Sequence, residues 1–436
     1  MKTLGINVYE AAQERLSTVF AEFDNIYVSF SGGKDSGLLL NLCLDYMQAH
    51  GISKPIAVMH QDFEAQYTAT TEYVTRALTA HPLQHLMRPY WLCLPMACKT
   101  ATSQFEQYWY PWQEDKRELW TRPMPDYPCV INLHNHAFDF YHDGITQEDI
   151  YKHFGDWYCR HECGGKGRTI GLIGIRAQES LNRRRAVNAD KNTHEGLPWT
   201  THNPDGTYTG YPLYDWRVED VWTANARYGY DYNRIYDTFH YAGLTPAQMR
   251  VASPYNDWAI GSLNLYRVIE PDLWAKFLGR VRGANFSAIY GNSKAVAWKH
   301  IDLPPGHTWQ SFVAFLLDTL PPDTRKTYQD KFATSIKFWR EKGGVLSDAT
   351  IAQLQAMGIA CRRSDKASNY KTDKTPVIFD EYPDDAPVED FAMVPSYKRM
   401  AICILKNDHL CKYMGFSQTK EEAARRKAAI EKYKNL

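Results

Sequence analysis

A β-prone run, Ile26-Tyr27-Val28-Ser29-Phe30, ends in Ser31-Gly32-Gly33-Lys34-Asp35-Ser36, and an apolar helical pattern follows over residues 37–50. This strand, glycine turn and helix constrain the chain more than any other feature. Glycine lacks Cβ, so the backbone can turn sharply and approach an anion closely. Amides at the start of the helix point outward, and the helix dipole favours negative charge there. Ser31 and Ser36 add hydroxyls, and Lys34 offers a point charge to phosphate oxygens. Asp35 can orient neighbouring donors or help hold a metal. A Walker A loop is excluded, because Val28 and Asp35 stand where Gly and Ser/Thr belong. A dinucleotide fingerprint is excluded as well: Gly165-Lys166-Gly167 has Ile170 in place of the third glycine and precedes a strand.

The surrounding pattern predicts an α/β fold. Residues 8–23 carry apolar side chains at helical spacing, 55–60 read as a second strand, 68–80 as a second helix and 85–92 as a third strand. Such alternation predicts βαβ units and a mostly parallel sheet with helices on both faces. Residues 93–165, rich in Trp, Pro, His and Cys, break the rhythm and read as an insertion that covers substrate. A strand returns at 168–175, with a helix expected from Gln178. The segment 192–212 is turn-rich, and 218–228 and 232–241 are helical again. The predicted organisation is a nucleotide-binding region, 1–245, followed by a mainly helical C-terminal region, 246–436. Helices are expected there at 270–282, 308–320, 323–341, 348–357 and 397–409. Residues 380–390 hold six acids and no Lys or Arg, which suggests a linker or solvated loop.

Composition narrows the function classes. Of 436 residues, 44% are hydrophobic and 23% charged, a globular balance that excludes a largely disordered chain. Fifty Lys+Arg offset fifty Asp+Glu, which argues against a protein coated in positive charge for nucleic acid. The basic tail, 398–436, with ten Lys/Arg against four Asp/Glu, still leaves a local contact with nucleic acid or an acidic partner open. No apolar run reaches the roughly 18–20 residues that span a bilayer, so no membrane partner is expected. The first residues lack the apolar stretch of a secretory signal. Nine scattered cysteines do not form a disulfide framework, and a reducing cytoplasm is the expected location. Cys159-Arg160-His161-Glu162-Cys163, with His153 nearby, has donors for Zn²⁺ or part of an iron–sulfur cluster. No second CxxC accompanies it, so buried or free thiols remain the alternative.

The Ser31–Ser36 loop resembles the pyrophosphate-binding PP-loop of the adenine nucleotide α-hydrolase superfamily. Two later segments point to the phosphoadenosine phosphosulfate (PAPS) reductase group within it. Gly174-Ile175-Arg176-Ala177-Gln178-Glu179-Ser180-Leu181-Asn182-Arg183-Arg184 is similar to its Gly-Ile-Arg-x-x-Glu-Ser-x-x-Arg segment. Tyr211-Pro212-Leu213-Tyr214-Asp215-Trp216, continuing to Asp220-Val221-Trp222, resembles its Pro-Leu-x-x-Trp-x-x-x-Asp-Val-Trp segment. The three motifs keep the family's order over residues 25–240. With its helical tail, the whole chain looks like the larger relatives typified by immunoglobulin-binding regulator A.

The resemblance implies that ATP, adenosine phosphosulfate or PAPS binds across the carboxyl ends of the first strands, with Mg²⁺. It assigns phosphate binding to Ser31, Gly32, Gly33, Lys34, Asp35 and Ser36, and the adenine and ribose edge to Asp62. Arg176, Arg183 and Arg184, with Glu179 and Ser180, would meet phosphate or sulfate through guanidinium forks. Lys34, Asp35 and Arg176 are the expected catalytic set. Thiol-dependent reductases of the family carry a C-terminal Glu-Cys-Gly-Leu-His; this chain ends Glu431-Lys432-Tyr433-Lys434-Asn435-Leu436, which demotes reduction. Three functions follow as expectations: an enzyme acting at a nucleotide phosphate chain, a nucleotide-sensing co-regulator working with a ParB/sulfiredoxin-like partner, or an enzyme of nucleic-acid sulfur modification.

Overall fold

The computed structural model describes residues 5–179, 183–184, 187, 192–246, 248–251, 253–256, 263–284, 303–364, 374–388 and 391–416. The chain forms two compact units that interleave along the sequence. The first comprises Met1–Cys98, Tyr108–Pro254 and Leu265–Arg280; the second comprises Lys99–Gln107, Tyr255–Asn264 and Val281–Leu436.

In the first unit, helix α1 (Val8–Glu22) starts at a capping box made by Asn7 and Glu10, which satisfies two of its orphan amides. Strand β1 (Asn25–Ser29), helix α2 (Lys34–Ala49), β2 (Ile56–Gln61), α3 (Thr68–Thr79) and β3 (Met87–Cys93) follow in alternation. Strand β4 (Val130–Asn132), helix α4 (Gln147–Trp157), β5 (Thr169–Ile173), β6 (Thr200–His202) and β7 (Tyr208–Gly210) complete the sheet layer. Helices α5 (Val218–Tyr228) and α6 (Ile235–Tyr241) come next. The seven-stranded sheet has the order β4-β3-β2-β1-β5-β7-β6. Every pairing is parallel except β7 with β6. The mostly parallel α/β expectation therefore holds. Strand β4 comes from within 93–165, so that segment supplies a sheet edge.

Strand β1 shows how the two faces are covered. Ile26 and Val28 pack with Ala12 and Leu16 of α1 and Leu39 and Cys43 of α2. Tyr27, pointing the other way, meets Phe154 of α4 at 5.2 Å between ring centroids. Period-two alternation thus buries β1 under helices on both sides. The chain proceeds from β1 to β2 and β3 in one direction, then crosses to β5 on the opposite flank of β1. That reversal puts a topological switch point at the carboxyl ends of β1 and β5, the place where ligands bind in open α/β sheets.

The second unit is mainly helical, with α7 (Trp309–Asp318), α8 (Pro322–Glu341), α9 (Asp348–Ala356) and α10 (Tyr397–Leu405). Trp309, Phe312, Tyr328, Phe332 and Met400 form its main core. It also holds a three-stranded antiparallel sheet that periodicity did not suggest: β8 (Gly344–Leu346), β9 (Arg362–Arg363) and β10 (Thr375–Ile378), with β10 central. Strands of two to four residues are too short to show alternation. Three of the four acids at 380–388 have partners within the chain. Asp380 receives Arg362, Asp384 caps α7 by accepting the Trp309 and Gln310 amides at 3.0 and 2.8 Å, and Asp385 pairs with Lys398 at 2.8 Å. Residues 417–436, the greater part of the basic tail, lie outside the described residues. No helix among the described residues is long and apolar enough to cross a membrane.

Leu39 is fully enclosed between α1, α2 and the sheet, so Leu39→Ala should cost about 2–5 kcal/mol of unfolding free energy in urea titration. Phe315→Ala, at a half-exposed position of α7, should change stability by less than about 0.5 kcal/mol.

Candidate functional site

The loop after β1 is built by four short-range bonds, among them the Ser31 amide donating to Ser36 Oγ at 3.2 Å, and is held by distant residues. The Gly33 amide points to Ser31 Oγ at 3.4 Å, the two hydroxyls of Ser31 and Ser36 lie 3.0 Å apart, and Ser36 Oγ donates to the Gly33 carbonyl at 3.1 Å. Both serines therefore shape the turn. Gly32 has a φ of +74°, and a Cβ there would sit 2.9 Å from Val74 Cγ2. Left-handed backbone and tight space both demand glycine. Gly33 is the N-cap of α2 and carries no side-chain cap. The first-turn amides of α2 have no intrahelical acceptor, which leaves the Asp35 and Ser36 N–H groups for an anion.

Two cations meet at one carboxylate here. Lys34 Nζ lies 3.1 Å from Asp35 Oδ2, and Arg176 Nε donates to Asp35 Oδ1 at 2.6 Å. Lys34 is 6% exposed and Arg176 3%. The pair sits at the switch point: Lys34 and Asp35 follow β1, and Arg176 follows β5. Gly174 permits this approach, since a Cβ there would stand 2.9 Å from the Asp35 backbone. The cluster carries one positive charge in excess. Buried charge is costly unless paired, so the cluster is stabilised by one more anion.

The second layer was not visible in the motifs. Asn233, fully buried, donates to the Gly32 carbonyl and to Thr70 Oγ1, both at 2.9 Å. Tyr236 accepts the Lys34 amide at 3.2 Å, and its ring lies 5.3 Å from Lys34 Nζ. Burial, with the Asp35 charge added, pushes the Tyr236 phenol well up, so it stays neutral. Trp222 packs on Tyr236 at 5.4 Å and so positions it. Asn233 and Tyr236 lie about 200 residues along the chain from the loop they brace, and no local pattern marks them.

The remaining sequence candidates separate. Glu179 and Arg183 pair with each other, and Arg176 approaches Gln178 Oε1 at 3.5 Å. Arg184 is exposed, and Ser180 lies outside the described residues. Asp62 corrects its expected place at the adenine edge. It is 0% exposed, and its oxygens accept Arg122, Trp91 Nε1 at 2.7 Å and the Glu64 amide at 2.8 Å. Burial alone would raise its carboxyl; the charges of Arg122 and His60 and the donated hydrogen bonds outweigh that and hold it low. Asp62 is thus a structural hub.

Cys159 and Cys163 are half-buried free thiols. Burial pushes the Cys163 thiol up. Among the described residues, they belong to no group of three metal-ligating atoms within 4.8 Å of one another. His161 is instead turned to Asp139 at 3.1 Å. The donor set fits neither a closed Zn²⁺ site nor a cluster, both of which need four ligands.

Comparison with known proteins adds the following. Residues 243–425 match the family model described as a domain of unknown function, DUF3440. The uncharacterized protein YbdN of Escherichia coli (strain K12) is 31% identical over 433 residues, covering 96% of this chain and 93% of that protein. A PAPS reductase of Candida auris in a phosphate complex aligns with a TM-score of 0.28 and 16% identity, covering 52% of this chain and 84% of its own. Candida glabrata FMN adenylyltransferase with FAD and inorganic pyrophosphate aligns at 0.30 and 12%, covering 54% of this chain and 63% of its own. The U34-tRNA thiolase NcsA of Methanococcus maripaludis, with its [4Fe-4S] cluster, aligns at 0.29 and 10%, covering 65% and 78%.

Removing the Asp62 charge leaves Arg122 without its buried partner. Asp62→Asn should therefore cost about 3–5 kcal/mol at pH 7. Because the folded carboxyl is depressed, its contribution is complete above the ordinary carboxylate range and fades as pH falls through the lower folded value. Urea midpoints measured from pH 7 to pH 3 should converge for the two proteins at the acid end. Equal midpoints at pH 7 would show the pair to be energetically idle.

Proposed function

The chain belongs to the family of Escherichia coli YbdN, and from that premise we propose that it binds an adenine nucleotide through residues 31–36 and acts at the nucleotide's phosphate chain. One observation carries the reading: Lys34 and Arg176 converge on Asp35 at the mouth of the parallel sheet, beside first-turn amides of α2 that have no intrahelical acceptor. A phosphate chain suits the excess positive charge and the first-turn N–H groups, with Mg²⁺ offsetting the rest of its charge.

In this reading, the phosphates lie over the Asp35 and Ser36 amides. Lys34 turns from Asp35 to a phosphate oxygen, while Arg176 stays on Asp35 and holds the two strand ends together. Charge that builds on a departing pyrophosphate is met by Lys34 and the backbone donors, which are already oriented. Mg²⁺ fits as an ion brought by the phosphates, since it keeps several waters and takes only one or two carboxylates. Asp35 is the carboxylate at hand, and it becomes available on the side that Lys34 vacates. The acceptor, and any sulfur in the reaction, belong to the finer choice between ATP and an adenylyl sulfate. The PAPS reductase-like motifs support testing both.

Thermal shift and calorimetry with ATP, adenosine phosphosulfate and PAPS, each with Mg²⁺, provide the test. At least one should stabilise the protein in proportion to saturation. Lys34→Ala should weaken that ligand tenfold or more, about 1.4 kcal/mol, and abolish pyrophosphate release. Tight binding without turnover would assign the pocket to sensing, with a ParB/sulfiredoxin-like partner to be sought by co-purification. No response to any of the three nucleotides would falsify the reading.

A further inference from the structure

At the opposite end of β1 from the loop, another group of side chains converges. Glu22 closes α1, and His194 and Glu195 stand on the turn before β6. One ligand atom from each of the three lies within 4.8 Å of the others. His194 is 5% exposed, and its Nε2 has no hydrogen-bond partner. That nitrogen points to Glu22 Oε2 at 3.9 Å, too far for a hydrogen bond. A buried imidazole nitrogen without a partner is expensive, and it calls for an occupant.

The imidazole is held firmly. Its ring lies 4.8 Å from Phe23 and 5.3 Å from Tyr208, and the His194 amide donates to Thr200 Oγ1 at 2.8 Å. Glu195 adopts a φ of +48°, uncommon for a non-glycine residue, which turns it onto the same side as Glu22. Arg168 also reaches Glu22 Oε2, at 3.0 Å. A carboxylate offers about four lone-pair sites, so a guanidinium and an ion can share it.

We propose that Glu22, His194 and Glu195 form a site for a divalent transition-metal ion, with Zn²⁺ the best match. The imidazole is a borderline donor that favours Zn²⁺ over Mg²⁺, and the two hard carboxylates are ligands Zn²⁺ also takes. Ligand atoms around tetrahedral zinc stand about 3.3 Å apart, so small side-chain rotations close the group, and water completes it. The site lies a whole strand away from the phosphate loop, about 17 Å for five residues. Its role is therefore structural: the ion clips the end of α1 to the turn at 194–197. The inference is independent of the nucleotide reading.

Chelator-treated protein dialysed against Zn²⁺ and assayed by elemental analysis tests it. Wild type should take up one Zn²⁺ per chain and gain thermal stability, with no gain from Mg²⁺. Glu195→Gln, an exposed change that leaves the fold intact, should lose that ion, as should His194→Gln. The double variant Cys159→Ser/Cys163→Ser should keep it, and a Co²⁺-loaded sample should show no thiolate charge-transfer band. No uptake by wild type, full uptake by Glu195→Gln, or loss in the double cysteine variant overturns the proposal.

Discussion

Asp35 joins two strand ends that would otherwise repel. The loops after β1 and β5 each bring a buried cation to the switch point, Lys34 and Arg176, and only the carboxylate between them makes their burial tolerable. Position matters as much as charge. Gly174 lets the β5 loop come within van der Waals reach of the Asp35 backbone, and Gly32 lets the β1 loop turn against Val74. Asn233 and Tyr236 then fix the loop from behind, through its carbonyl and amide groups. The result is a preorganised turn whose polar groups are satisfied, except at the start of α2.

A second buried ion network makes the contrast clear. Glu64, fully enclosed, accepts Arg280 through two bonds at 2.9 and 3.0 Å, and the amides of Trp112 and Thr121 at 2.8 and 3.0 Å. Beside it, Asp62 is saturated by Arg122, Trp91 and the Glu64 amide. Each acid there has its own arginine, so the network is neutral and closed. Such a network fixes the turn after β2 without offering anything to a ligand. The Asp35 cluster differs by one charge: Lys34 and Arg176 share a single carboxylate.

The parallel sheet and the loop were readable because they rest on local chemistry. A β-branched and aromatic run, a glycine turn and a helical apolar pattern lie within 25 residues, and β1, α2 and their junction follow directly. Arg176 was singled out by a different route, the resemblance of residues 174–184 to the PAPS reductase segment. Asp62 was misplaced because its partners, Trp91 and Arg122, come 29 and 60 residues later, and no local rule announces them. Asn233 and Tyr236 were passed over for the same reason. The small sheet of the second unit escaped because its strands, two to four residues long, are too short to establish an alternating pattern. The six acids at 380–390 suggested solvent, yet Asp384 serves as a helix cap for α7, more than 70 residues before it in sequence.

These cases share a physical rule about buried polar groups. A group with all its partners inside the chain explains a turn, as Asp62 and Glu64 do. A group whose partners leave a remainder, either a net charge or an unpartnered polar atom, can take a partner from outside. Among the described residues the first unit holds several such atoms, His60 Nε2 and Trp216 Nε1 among them, and two of its remainders lie at the ends of β1. At the carboxyl end it is positive and opens beside unpaired amides, which suits a phosphate. At the amino end it is an unpartnered imidazole nitrogen facing two carboxylates, which suits a cation. The sign of each remainder follows from which residues were left unpaired, and that sign sets the class of ligand each end of the strand can accept.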